Sequence, residues 1–229
     1  MIALARFQFA GYVLSLRVLQ PLIVVLLIIA LVLGQGPGGA NAAELAVGTF
    51  GDVAAFMFPV WAWSARALLD TQPDEQRNLS ATAARRRTTP TWAGLLAAYS
   101  INVCLSAVIL AIPLIQAATS GVQATPIVIG TALNLLVAAA GTLLGAWTSR
   151  AIIPDPGVSL LALLGGAAAL LLLSLGPLDR LSVPMIGWLH AAHHGPDAFI
   201  TDFPGIALHL AAWSVVVGIA YLLTKRHRP

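Results

Sequence analysis

Asp70–Trp92, DTQPDEQRNLSATAARRRTTPTW, is the longest charged interval in a chain that is otherwise almost entirely apolar. It contains Arg77, Arg85, Arg86 and Arg87, four of the twelve Lys and Arg residues, and Asp70, Asp74 and Glu75, three of the nine acids. On each side lies an apolar run of bilayer-crossing length, since about 20 residues at 1.5 Å each traverse roughly 30 Å of hydrocarbon. Residues 70–91 are therefore read as a cytoplasmic loop that receives a partner.

Composition agrees with that frame. Hydrophobic residues make up 59% of the 229, charged residues 9%, and mean hydropathy is +0.88, whereas a soluble domain carries about 25% charged residues. The reading is an all-α integral membrane protein, a single transmembrane domain over 1–229. Its net charge of +3 comes from basic residues flanking spans, not from one contiguous patch, which argues against nucleic acid as a partner and for membrane lipid. The single Cys104 excludes an intrachain disulfide and a thiol metal cluster.

Working outward from the loop, the run before it, Leu45 to Leu69, is expected to be the second of six transmembrane helices, kinked by Pro59. Asp52 sits near its outer end as an interfacial residue. Before it, Gly34–Asn41 (GQGPGGAN) breaks any helix, and Val18–Gly34 forms the first span. Residues 1–17 mix Arg6 and Arg17 with apolar side chains, which suits an amphipathic helix in the headgroup region or the start of a longer first span. Arg17, the run to Leu33 and Ala40-Asn41-Ala42 imitate a cleaved signal peptide, but the leading region is too long and too apolar for one. After the loop come a third span, Trp92 to Gln116, a fourth, Pro126 to Ser149, a fifth, Val158 to Leu178, and a sixth, Gly205 to Thr224.

Residues 179–204 mix apolar residues with turn formers and charges. Two short helices turning at Gly195-Pro196 and dipping into the outer leaflet satisfy both. With the N and C termini cytoplasmic, the inner face holds eleven basic residues and the outer face only Arg180, as positively charged loops require.

Few residues offer chemistry. There is no Gly-x-x-x-x-Gly-Lys-Ser/Thr, and Lys225 is the sole lysine, so nucleotide phosphates have no P-loop here. The chain is read as a non-enzyme. Polar residues within spans, Asn102 among them, mostly suit bonds between helices. His190-Ala-Ala-His193-His194 matches the HxxHH box of membrane di-iron hydroxylases and desaturases, which need more histidines than the five present. A metal site from His190, His193, His194 and Asp197 is the alternative reading, as a membrane metalloenzyme or metal-binding protein.

The layout resembles the ABC-2 type permease subunits of ATP-binding cassette transporters, which share the type V exporter fold. The resemblance rests on the lead helix, six spans with both ends inside, the re-entrant segment, and Asp74–Leu95, DEQRNLSATAARRRTTPTWAGL, which looks like the family segment that sits against the nucleotide-binding subunit. It implies a permease in the bacterial cytoplasmic membrane, exporting a lipid, hydrophobic peptide or antibiotic. Two ATP-binding subunits would carry ATP and Mg, and a second permease subunit, identical or homologous, would complete the pathway. Asp74, Glu75, Arg77, Arg85, Arg86 and Arg87 would then contact the ATPase, while Phe56, Phe58, Trp61 and Asn102 would line the substrate path.

Overall fold

The computed structural model describes residues 1–30, 39, 41–72 and 88–227, the side chains of 226 and 227 excepted. The loop residues Asp74, Glu75, Arg77, Arg85, Arg86 and Arg87 lie outside this set. The described residues form eight α-helices: α1 (Ile2–Leu14), α2 (Leu19–Ile28), α3 (Ala42–Leu69), α4 (Thr89–Thr119), α5 (Ala124–Trp147), α6 (Pro156–Ser174), α7 (Met185–His193) and α8 (Pro196–His227), with one 3₁₀ turn at Asp179–Leu181.

Five of them, α3, α4, α5, α6 and α8, are long and apolar enough to cross a membrane. The expected first span is represented by α2, whose ten residues rise about 15 Å, half a bilayer core. It is bent by 71° from α1. At the elbow Leu16 has φ 58°, a left-handed conformation that costs a leucine roughly 1–2 kcal/mol.

α3 is the axle. It packs along α5 and α4 and under α7, and 61% of its most apolar window is buried, against 17% for α6 and for α8. Without a hydrophobic drive between helices inside lipid, close packing of small residues holds them together. On α5 the small residues are glycines. A Cβ added at Gly141 would stand 2.7 Å from Trp61 Cβ, and one at Gly145 would overlap the Ala62 carbonyl. Polar ties reinforce the contact: Asn102 Nδ2 donates to Trp61 O at 3.0 Å and Thr142 Oγ1 at 2.9 Å, and Asn134 Nδ2 donates to Phe50 O at 3.1 Å and Gly130 O at 2.9 Å.

The segment 179–204 differs from expectation. α7 is one of the two short helices anticipated, and the chain does turn at Gly195, φ 95°. The second helix is absorbed into α8, which opens at Pro196 instead of Gly205 and runs through Pro204. Pro196 stands at the helix start, where a missing N–H costs nothing, and Asp197 in the first turn suits the helix dipole. Pro204 removes a single backbone bond from a 32-residue helix, which transmembrane helices tolerate.

Candidate functional site

The charged interval begins at a built structure. Arg66 and Asp70 occupy the last turn and C-cap of α3, with side chains only 13% and 12% exposed. Arg66 Nε donates to Ser159 Oγ at 2.6 Å, and its Nη2 donates to the Pro156 carbonyl at 3.0 Å. Ser159 in turn donates to Thr148 O. Asp70 Oδ2 lies 3.7 Å from Arg66 Nε, and Asp70 Oδ1 accepts the backbone N–H of Arg150 at 2.8 Å. Asp155 caps α6 by accepting from Val158 N at 2.8 Å.

The physical effect is a clamp. A guanidinium and a carboxylate one helical turn apart bind both arms of the α5–α6 connection, so the chain leaves α3 at a fixed place beside that turn. Charge-assisted bonds of this kind are about twice as strong as neutral ones. Gln8 Nε2 on α1 donates to Gln72 Oε1 at 3.3 Å, tying the lead helix to the same region. With Arg66, Arg150 and Lys225 this end of the bundle is basic. The i,i+4 pair Arg66–Asp70 was the signal that sequence reading passed over; Ser159 and Arg150, 93 and 80 residues away from their partners, carried none.

The residues expected to line a path are separated by the helix packing. Phe56 is 51% exposed on the outside of α3, while Phe58, Trp61 and Asn102 are fully buried. Asn102 has both amide hydrogens committed between α3 and α5.

At the opposite, acidic end, α7 lies over the start of α3. A Cβ at Gly48 would come within 2.9 Å of His193 Nδ1, and one at Gly51 within 2.8 Å of Ala192 Cβ. The two glycines let α7 settle onto α3, and Asp52, one residue on, then meets His193 Nε2 at 2.8 Å. That nitrogen carries the proton, because an ionised carboxylate only accepts. Both side chains remain partly exposed, His193 at 48% and Asp52 at 34%.

His190 and His194 stack with ring centroids 3.8 Å apart, and His194 Nδ1 donates to His190 O at 2.8 Å. The alternative metal set of His190, His193, His194 and Asp197 is not brought together here. Among the described residues no three His, Cys, Asp or Glu side chains gather to hold an ion. Successive residues on a helix turn by about 100°, so His193 and His194 fall on opposite sides of His190, one toward α3 and the other away from it.

No protein-family model matches the chain, and no curated protein or solved structure matches it.

Proposed function

We propose that the chain is the membrane-spanning permease subunit of an ATP-binding cassette transporter of the ABC-2 kind, exporting a lipophilic substrate with ATP hydrolysed by a separate subunit. The observation that carries this reading is the clamp of Arg66, Asp70, Ser159 and the Arg150 amide. A charged segment that leaves the membrane from a rigid root transmits displacement into the spans, which a slack linker does not. The bent pair α1–α2 supports it further, since the two helices taken together as one broken span bring the candidate crossings to six. The basic end is then cytoplasmic, as are both termini.

In this reading two ATP-binding subunits dock on residues 70–91 through Asp74, Glu75, Arg77, Arg85, Arg86 and Arg87, by charge complementarity. Phe56 and the exposed leucines of α6, among them Leu161 at 71% and Leu172 at 66%, face a second permease subunit across an apolar path. That lining suits a lipid, a hydrophobic peptide or an antibiotic. The membrane is the bacterial cytoplasmic one.

The test is purification of the tagged chain from its native membrane in mild detergent. A stoichiometric P-loop partner is the expected result, and purification without an ATPase, under conditions that keep membrane complexes intact, overturns the proposal. With the partner in hand, replacing Arg85, Arg86 and Arg87 together is expected to leave ATP hydrolysis running without transport in reconstituted vesicles.

A further inference from the structure

After α6 the chain folds back before it enters α7. Ser182 Oγ donates to the Leu170 carbonyl, one turn inside the end of α6, and the Ile186 amide donates to Ser174 Oγ at 3.1 Å. The 3₁₀ turn Asp179–Leu181, just ahead of Ser182, is tied to α8 as well. His209 Nε2 donates to the Arg180 carbonyl at 3.2 Å, and Trp213 Nε1 donates to the Leu181 carbonyl at 3.1 Å. Two helices thus hold a charged turn at a fixed height.

That height is inside the apolar layer. At 1.5 Å per residue, Leu170 stands about 21 Å along α6 from Pro156 and His209 about 22 Å along α8 from Thr224, each measured from the basic end. The hydrocarbon core is roughly 30 Å thick. The turn therefore lies several ångströms short of the far edge.

Asp179 and Arg180 are nevertheless exposed, as are Leu178 at 52% and Leu181 at 67%. Non-helical backbone at such a depth does not face lipid; it is buried by protein or lines a water-filled cavity. A protein cover would seal in two charged side chains that have no hydrogen-bond or ion-pair partner among the described residues, which is strongly unfavourable. Water is the cover that both charges accept. Consecutive residues of a 3₁₀ turn are about 120° apart, so the Arg180 and Asp179 side chains leave the turn in different directions. The guanidinium is then open to an anion, with Leu178 and Leu181 beside it for an alkyl chain. Ionisable residues at membrane depth characteristically mark the paths of substrates and ions.

We propose that the Asp179–Leu181 turn lines a water-filled notch between α6 and α8, in which Arg180 binds the acid group of an anionic amphiphile. The notch belongs to one chain and needs no ATP-binding partner, so it and the transporter reading can fail separately.

The experiment is cysteine labelling of the full chain in phosphatidylcholine nanodiscs, on a Cys104→Ser background, with the membrane-impermeant anion methanethiosulfonate ethylsulfonate. Leu181→Cys reports the notch. Leu172→Cys reports lipid at the same height, since Leu172 is 66% exposed on α6 and within one turn of Leu170. Should Leu181→Cys fail to keep the parent melting temperature, Leu178→Cys takes its place. The notch position is expected to react promptly and Leu172→Cys not to react. Decanoate is expected to slow the notch reaction about tenfold, the scale of neutralising one unit charge a few ångströms away in partly wet surroundings, and decanol to leave it unchanged. Arg180→Gln is expected to abolish the decanoate effect. Reaction at both positions would place the turn outside the hydrocarbon, and reaction at neither would make the notch dry; each overturns the proposal. A decanoate effect that is absent, or that survives Arg180→Gln, overturns it also.

Discussion

Arg66 is the residue whose removal tests the clamp most directly. Its guanidinium serves Ser159, Pro156 and Asp70 at once, and hydrogen bonds to charged groups contribute about 1.5–3 kcal/mol when lost from a sheltered site. Arg66→Met is expected to lower stability by about that much, measured by denaturant titration in micelles. Ser159→Ala, which leaves the Pro156 and Asp70 contacts in place, is expected to cost less than Arg66→Met. At this scale the sequence was partly legible. A helical register announces i,i+4 neighbours such as Arg66 and Asp70, yet nothing local announces Ser159. The histidines show the same limit from the other side. Their HxxHH spacing suggested convergence, whereas the helix sends His193 to Asp52 and stacks His194 on His190. Asp52 had been placed at the end of its span from sequence alone; its partner lies 141 residues away.

Among the elements, the elbow between α1 and α2 makes the sharpest prediction. Leu16 holds φ 58°, which glycine adopts without penalty. Leu16→Gly is expected to stabilise the folded chain by about 1 kcal/mol, read as a raised denaturation midpoint. A lowered midpoint would mean that the leucine side chain, 64% exposed, is held by contacts outside this chain. Helix positions inside the apolar runs were readable from sequence: α3, α4, α5 and α6 begin and end within a few residues of the expected limits. The start of α8 was not. The sixth span was expected to open at Gly205, whereas Pro196 followed by Asp197, immediately after Gly195, satisfies the first turn of a longer helix.

For the whole molecule, apolarity does not decide which long helix is central. The axle α3 is the least apolar of the five long helices, and the more apolar α6 is among the least buried. Lipid is as good a solvent for leucine as another leucine is, so beside buried aromatics such as Trp61 and Phe58 the helix contacts use Gly, Ala, Ser and Asn, which permit close approach and exchange hydrogen bonds. Hydropathy therefore located the spans while leaving their arrangement unreadable. The expected contrast is between Gly145→Leu and Leu164→Ala. The first drives a side chain into the Ala62 carbonyl and is expected to cost at least the 1–3 kcal/mol typical of overpacking, about enough to prevent recovery of folded chain. The second, at a site 54% exposed, is expected to change monomer stability by less than about 0.5 kcal/mol. A dimer lost in Leu164→Ala with the monomer intact would locate the subunit contact on α6.

The glycines that seat α5 and α7 against α3 also set how such a chain can diverge in descent. Leucine, isoleucine and valine on the lipid-facing sides of α6 and α8 are interchangeable as solutes in hydrocarbon, so drift there meets little resistance. Gly51, Gly130, Gly141 and Gly145 each abut a neighbouring helix at a distance that admits no methyl group without a shift. Two descendants of one ancestor would thus lose resemblance first along their most conspicuous apolar runs. They would keep it longest in a few scattered glycines, with Asn102 and Asn134 between them.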